Sequence, residues 1–201
     1  MNTPSHLIIT AALRRRARAS KPQLHVPLSA VLWGSVAPDL PLTIMSIFGG
    51  LYYRFIVGRP LRESMEYIFN DLYFNNPWWI AAHNTLQAPF ILATVLIILW
   101  SYRNQASHKL RHWFFWFMAS CSLHSFIDIL THNDDGPLLL FPFNWRVRFE
   151  SPVSYWDRDH YAGIFGIFEN TLCVLLLVYL VWPHYQRWLA RRREKASSAE
   201  S

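Results

Sequence analysis

Four long runs of this chain are almost wholly apolar, and the polar residues inside them are few enough to consider singly. Residues 29–50, 78–100, about 112–130 and 161–182 each reach the roughly 20 residues that a helix needs to cross a bilayer. Trp78, Trp79 and Trp100 stand at the ends of the second run, and Trp113 and Trp116 at the start of the third, as interfacial anchors do. The first run is interrupted at Ala37-Pro38-Asp39-Leu40-Pro41. Two prolines around a carboxylate predict a broken helix, tolerated at depth only beside protein or a water-filled cavity.

The shorter elements are also legible. Residues 3–13 predict a short helix with Thr3 as N-cap and Pro4 at its first position. Leu61 to Tyr73 predicts an amphipathic surface helix. NDDGP at 133–137 marks a turn, LLLFPFNW at 138–145 a re-entrant or surface apolar stretch, and residues 146–160 a polar loop. The pattern as a whole predicts an all-α integral membrane bundle. It is a single domain over residues 1–201, with about four spans, a broken first segment and a short N-terminal helix.

Composition agrees. The chain is 52% hydrophobic and only 16% charged, against about 25% charged in soluble domains. The net charge of +6 does not point to nucleic acid, because the basic residues cluster beside apolar runs and the chain has neither zinc-finger cysteines nor a glycine-rich phosphate loop. Cys121 and Cys173 lie within apolar segments and read as small hydrophobes. The first apolar run, HLIITAAL, precedes its basic cluster, the reverse of a cleavable signal peptide.

With both termini on one side, that side collects 13 of the 19 Lys and Arg, including the basic region 11–21 and the tail 184–201. The two loops on the other side, 51–77 and 131–160, hold 6 of them and 8 of the 13 acids. This bias predicts cytoplasmic termini, with a site opening toward the outer face. It also creates a conflict. His6 precedes the inside basic cluster, whereas His83, His124 and Asp128 fall near the outside ends of their spans. Either an N-terminal element penetrates the bundle, or segment 29–50 re-enters instead of spanning.

The candidate chemistry centres on residues 121–137, where His124, Asp128 and His132 recur every four residues and so share a helix face. Ionisable groups in such a setting are costly unless they pair or bind something. His124 and Asp128 are one turn apart and can meet on one ion. His132 lies about 12 Å further along a straight helix, so it must curl back or serve a second ion. Asp39 sits at the break of the first run and His83 in the first turns of the second. Glu169, within the last run, should face the bundle interior. Asp134, Asp135 and Glu169 are spare carboxylates for base or supporting duty.

These pieces resemble a family of small bacterial inner-membrane proteins described as membrane-bound metal-dependent, LexA-binding hydrolases, distantly similar to zinc-dependent phospholipase C. The resemblance rests on His6, Gly34-Ser35 with Pro38-Asp39, His83-Asn84, and His124-x-x-x-Asp128. Thr131-His132, Gly136 and Phe141-Pro142-Phe143 follow. It covers about residues 1–145. The chain departs from the family pattern at Leu40-Pro41, where a second acid is common, and at 79–84, where an Arg-Gly-x-Thr-His-Ser run is common.

The resemblance implies a divalent metal, zinc or else manganese, held by His6, Asp39, His83, His124 and Asp128, with His132 a further ligand. The expected activity is hydrolysis of an ester or phosphoester, lipid-like because the site lies at bilayer depth. Membrane lipid is the expected partner and homo-oligomers are compatible with the pattern. Two other readings stay open: a non-enzymatic membrane protein with a structural metal or polar packing cluster, and a small transporter-like subunit.

Overall fold

The computed structural model describes residues 1–105 and 107–197. Among them every regular element is helical, without strands. Four helical stretches are long and apolar enough to cross a membrane: Leu28–Phe55, Pro77–Tyr102, Lys109–Thr131 and Ala162–Arg192.

Helix α1 (Thr3–Ser20) is preceded by Asn2 as its N-cap, and its side chains make no capping bond. The expected cap therefore moves one residue back, and the helix continues through the arginines instead of ending at Leu13. At 1.5 Å per residue its 18 residues cover about 27 Å, close to the hydrocarbon thickness of a bilayer. The N-terminal helix is thus a full-depth element, not a short one.

Helix α2 (Leu28–Val36) leads through a 3-10 turn (Ala37–Asp39) into α3 (Leu40–Phe55), the predicted break falling at Pro38 and Pro41. Helix α4 (Leu61–Tyr67), a π-helical stretch (Ile68–Leu72) and α5 (Tyr73–Asn75) form the expected amphipathic segment. The second span is itself broken, into α6 (Pro77–Asn84) and α7 (Pro89–Leu99). Pro89 cannot donate to the ladder, a signal the apolar run 78–100 masks. Helix α8 (Lys109–Thr131) is unbroken, and α9 (Ala162–Ser197) runs on through Pro183 to take in most of the tail.

Directions follow from pairwise contacts. Helix α8 lies parallel to α2, with Ser120 Oγ bonding the Val31 carbonyl and His124 Nδ1 the Ser35 carbonyl. Helix α1 runs antiparallel to α2, from Thr3 beside Asp39 to Arg14 on the Val26 carbonyl. It runs parallel to α9, from Asn2 on Glu169 to Arg15 on the Tyr179 and Leu180 carbonyls. One end of the bundle therefore gathers the basic residues 14–21 and 103–111. The other gathers Met1, His6 and the loop after α8. The basic segment and the tail share an end, as expected, but Met1 lies at the opposite one. The conflict over His6 resolves through the penetrating N-terminal element, and Leu28–Phe55 is long and apolar enough to span.

The apolar interior is small and divided. Leu92, Met118 and Cys121 join α7 to α8; Ile80, Ala88, Leu138 and Phe141 bind the 138–141 stretch to α6. That stretch, expected as re-entrant or superficial, thus contributes two buried side chains to the core. Ile68, Leu72 and Trp79 hold the π-helical stretch against α6, with Leu42 and Met45 of α3 alongside. Much of α9 faces outward, with Ile164, Ile167, Leu175 and Val181 exposed, as suits a lipid-facing helix.

Helices α2 and α8 approach closely because Gly34 has no side chain: a Cβ there would lie 2.7 Å from Ser120 Cβ and collide with the Phe117 carbonyl. Gly34→Val should therefore destabilise the bundle by about 1–3 kcal/mol. Gly163→Val, where a Cβ meets nothing within 4 Å, should change little. Thermal unfolding of the two variants in detergent checks the difference.

Candidate metal centre

Three elements deliver four polar side chains to one point in the bundle. Helix α1 brings His6, the 3-10 turn brings Asp39, and α8 brings His124 and Asp128 one turn apart. Asp39 precedes α3 but makes no side-chain cap bond to it, so its carboxylate is available. His6 and His124 have side chains that are 0% exposed, and that of Asp128 is 4% exposed.

The distances define a compact group. His6 Nε2 lies 2.9 Å from Asp128 Oδ1, His124 Nε2 2.9 Å from Asp128 Oδ2, and His124 Nε2 3.1 Å from Asp39 Oδ1. His6, His124 and Asp128 offer ligand atoms all within 4.8 Å of one another. Ligands bonded at about 2.1 Å are separated by about 3.0–3.4 Å when their bond angles are octahedral or tetrahedral. The observed edges match the short end of that range.

Protonation logic sharpens the picture. The Ser35 carbonyl can only accept, so His124 Nδ1, 2.9 Å away, donates to it. The neutral ring then presents the Nε2 lone pair to two carboxylates. No hydrogen bond is aligned at His124 Nε2, nor at either nitrogen of His6. The two rings stack with centroids 3.7 Å apart, where two imidazolium charges would repel strongly. A cation between them would partner His124 Nε2, His6 Nε2 and the facing carboxylate oxygens together.

Surrounding groups hold the carboxylates in place. Thr3 Oγ1 donates to Asp39 Oδ2, and Gln87 Nε2 approaches Asp39 Oδ1 at 3.4 Å. The Met1 amino group lies 3.2 Å from Asp128 Oδ1 and 2.9 Å from Thr131 Oγ1. Thr3 and Gln87 escape a motif search because neither is a ligand type; the break at Pro89, which turns Gln87 inward, was the available signal.

The remaining sequence candidates divide. His132 leaves the helix in an extended conformation as the C-cap of α8. It curls back to 3.6 Å from Asp128 Oδ1 while its Nδ1 lies 3.0 Å from Asp135 Oδ1. Burial pushes the Asp135 carboxyl upward, but His132 and the Trp156 indole N–H outweigh it and hold the group below its ordinary value. Asp134 is exposed on the same wall. Glu169 is buried but turned away, accepting from the Asn2 backbone N–H at 2.9 Å and the Asn2 side chain at 3.1 Å. It anchors the start of α1 and does not line the cavity described below.

His83 stands apart from the His6–His124–Asp128 group. Tyr73 donates its single hydroxyl hydrogen to the Asp135 carbonyl at 2.6 Å, so the His83 Nε2, 2.8 Å from that hydroxyl, must donate to it. His83 therefore positions Tyr73, and through it the 132–137 turn.

Above the floor formed by Asp39 and Asp128 opens a cavity of about 700 Å³. His83, His132, Asp134 and Asp135 line one part of it; Leu42, Ile47, Phe69 and Phe74 line another. Ile47 and Phe69 are 54% and 43% exposed, so the apolar side reaches the surface of the helical bundle.

The Tyr73–His83 contact predicts energetic coupling. Tyr73→Phe and His83→Ala should each destabilise the protein, with a coupling of about 1 kcal/mol in a double-mutant cycle. Unfolding in detergent measures it, and strictly additive losses would show that the two side chains are not joined.

The model of one family, described as YdjM inner membrane protein, matches residues 1–190. No curated protein and no solved structure matches the chain. With four apolar helices and a family match over nearly its whole length, the chain belongs to the YdjM inner membrane protein family and is a multi-pass inner-membrane protein.

Proposed function

We propose that this protein is a membrane-embedded, divalent-metal-dependent hydrolase acting on an ester or phosphoester of a lipid-like molecule. The observation that carries the reading is the set of imidazole nitrogens facing carboxylates without aligned hydrogen bonds, at 2.9–3.1 Å, on the floor of a large cavity. His6, His124, Asp128 and Asp39 are the ligands, and His132 completes the set or serves a neighbouring position. Two imidazoles with carboxylates suit zinc, and manganese is the alternative. Bound there, the ion would polarise an ester or phosphoryl oxygen and acidify a water molecule.

The chain's own residues supply the rest. The Ser35 carbonyl fixes the His124 tautomer, and Thr3 and Gln87 orient Asp39, the supporting contacts on which metal affinity depends. Asp135 and Asp134 line the cavity beside His132 and are the candidate bases. The half-exposed Ile47 and Phe69 give an acyl chain a path from the bilayer. The basic end of the bundle is cytoplasmic by the positive-inside rule, and the cavity opens toward the outer side.

A purely structural packing cluster is the second reading, favoured by the ion-pair distances alone. It requires a proton on His124 Nε2 and on His6 Nε2, each facing Asp128 at 2.9 Å without an aligned hydrogen bond. Metal analysis separates the two. Purified protein should hold about one zinc or manganese per chain, retained in Glu169→Gln and lost in His124→Ala and Asp128→Ala. Occupancy should fall as pH drops below about 6, because protons compete for the imidazoles. Metal-free protein of unchanged stability would rule the centre out. Turnover assays on ester, phosphodiester and phospholipid substrates then test catalysis, and metal without turnover would favour a structural ion.

A further inference from the structure

The cavity is unbalanced in charge. Asp39, Asp128, Asp134 and Asp135 line it; the Met1 amino group, 3.2 Å from Asp128 Oδ1, faces them, and among the described residues no lysine or arginine lines it. Asp39 and Asp128 face the imidazoles of the floor; on the wall Asp135 faces His132 at 3.0 Å, and the exposed Asp134 stands beside it. The Arg148 guanidinium lies close by but outside the lining. It donates to the Gly136 carbonyl and lies 5.4 Å from the centre of the Tyr73 ring and 5.5 Å from that of Phe74.

The same wall carries two aromatic rings. Tyr155 and Trp156 line the cavity beside the two aspartates. The Trp156 indole N–H is taken up by Asp135 Oδ2 at 2.8 Å, which leaves the ring faces as its remaining means of recognition. Tyr155 packs on His132 with centroids 4.8 Å apart. Carboxylates next to aromatic faces attract an ammonium group and repel a second anion.

The cavity thus has three regions: a floor of metal-ligand type, an acid–aromatic wall and an apolar mouth formed by Ile47, Phe69 and Phe74. We propose that it selects amphiphiles bearing an amine on the polar head, of the phosphatidylethanolamine kind, over amphiphiles whose head is purely anionic. The ammonium lies against Asp134, Asp135, Tyr155 and Trp156. The phosphoester lies at the floor and the acyl chains leave between Ile47 and Phe69. Placing the phosphoester at the floor rests on the metal-dependent reading above; the amine preference rests on the wall alone.

The test uses the full chain in a neutral detergent with short-chain phosphatidylethanolamine and phosphatidylglycerol as probes. Binding is read by native mass spectrometry or calorimetry, and metal is counted on the same samples. The ethanolamine lipid should bind about tenfold more tightly than the glycerol lipid. Asp134→Asn, at an exposed position that folding does not depend on, should reduce that ratio to about threefold or less, and Asp134→Lys should invert it. Equal affinities in the unaltered protein, or a preference unchanged by Asp134→Lys, would overturn the proposal. Amine preference in metal-free protein would support it while removing the hydrolase reading. Bound metal without amine preference would do the reverse.

Discussion

A carboxylate buried among helices at bilayer depth must have its charge answered, and the architecture of this protein follows from how Asp128 is answered. In so low a dielectric an unpartnered charge would cost several kcal/mol. Asp128 meets His6 through one oxygen and His124 through the other, while Asp39 approaches the same His124 nitrogen. The groups come from elements far apart in the chain. Satisfying them requires α1, the 3-10 turn and α8 to converge, and with them the helix breaks that make room.

Each irregularity in the helices serves that convergence. The turn at Ala37–Asp39 exposes the Asp39 carboxylate without using it as a cap. The gap between α6 and α7 turns Gln87 inward, where its amide meets Asp39 and its carbonyl accepts from Ser125. The end of α8 at Thr131 lets His132 fold back toward Asp128. The π-helical stretch at Ile68–Leu72 lies between Tyr67 and Tyr73, and Tyr73 then reaches the 132–137 turn. Departures of this kind are tolerated inside a membrane protein where backbone lines a cavity, and here they surround one.

Glu169 and His83 lie outside the His6–His124–Asp128 group. Both are buried and polar in apolar runs, the pattern that marks a functional group in a membrane. Yet Glu169 fastens the first residues of α1 to α9, and His83 positions a tyrosine. They support the centre from outside it. Buried polar residues inside and outside the group face the same energetic requirement for partners, so sequence pattern cannot separate them.

The helical class, the four spans and the break at 37–41 were legible in the sequence because they depend on local quantities: run length, hydropathy and proline chemistry. The pairing of His124 with Asp128 was legible for the same reason, since helix periodicity fixes their common face. Tertiary structure alone decided that α1 crosses the depth of the bundle and brings His6 to the centre. Its arginines obscure the apolar pattern, and their contacts with the Val26, Tyr179 and Leu180 carbonyls come from residues distant in the chain. It also decided that His132 returns to Asp128 and that His83 does not join the group. Those outcomes depend on where a helix ends and which neighbour offers a partner, and neither is written in the spacing of the residues.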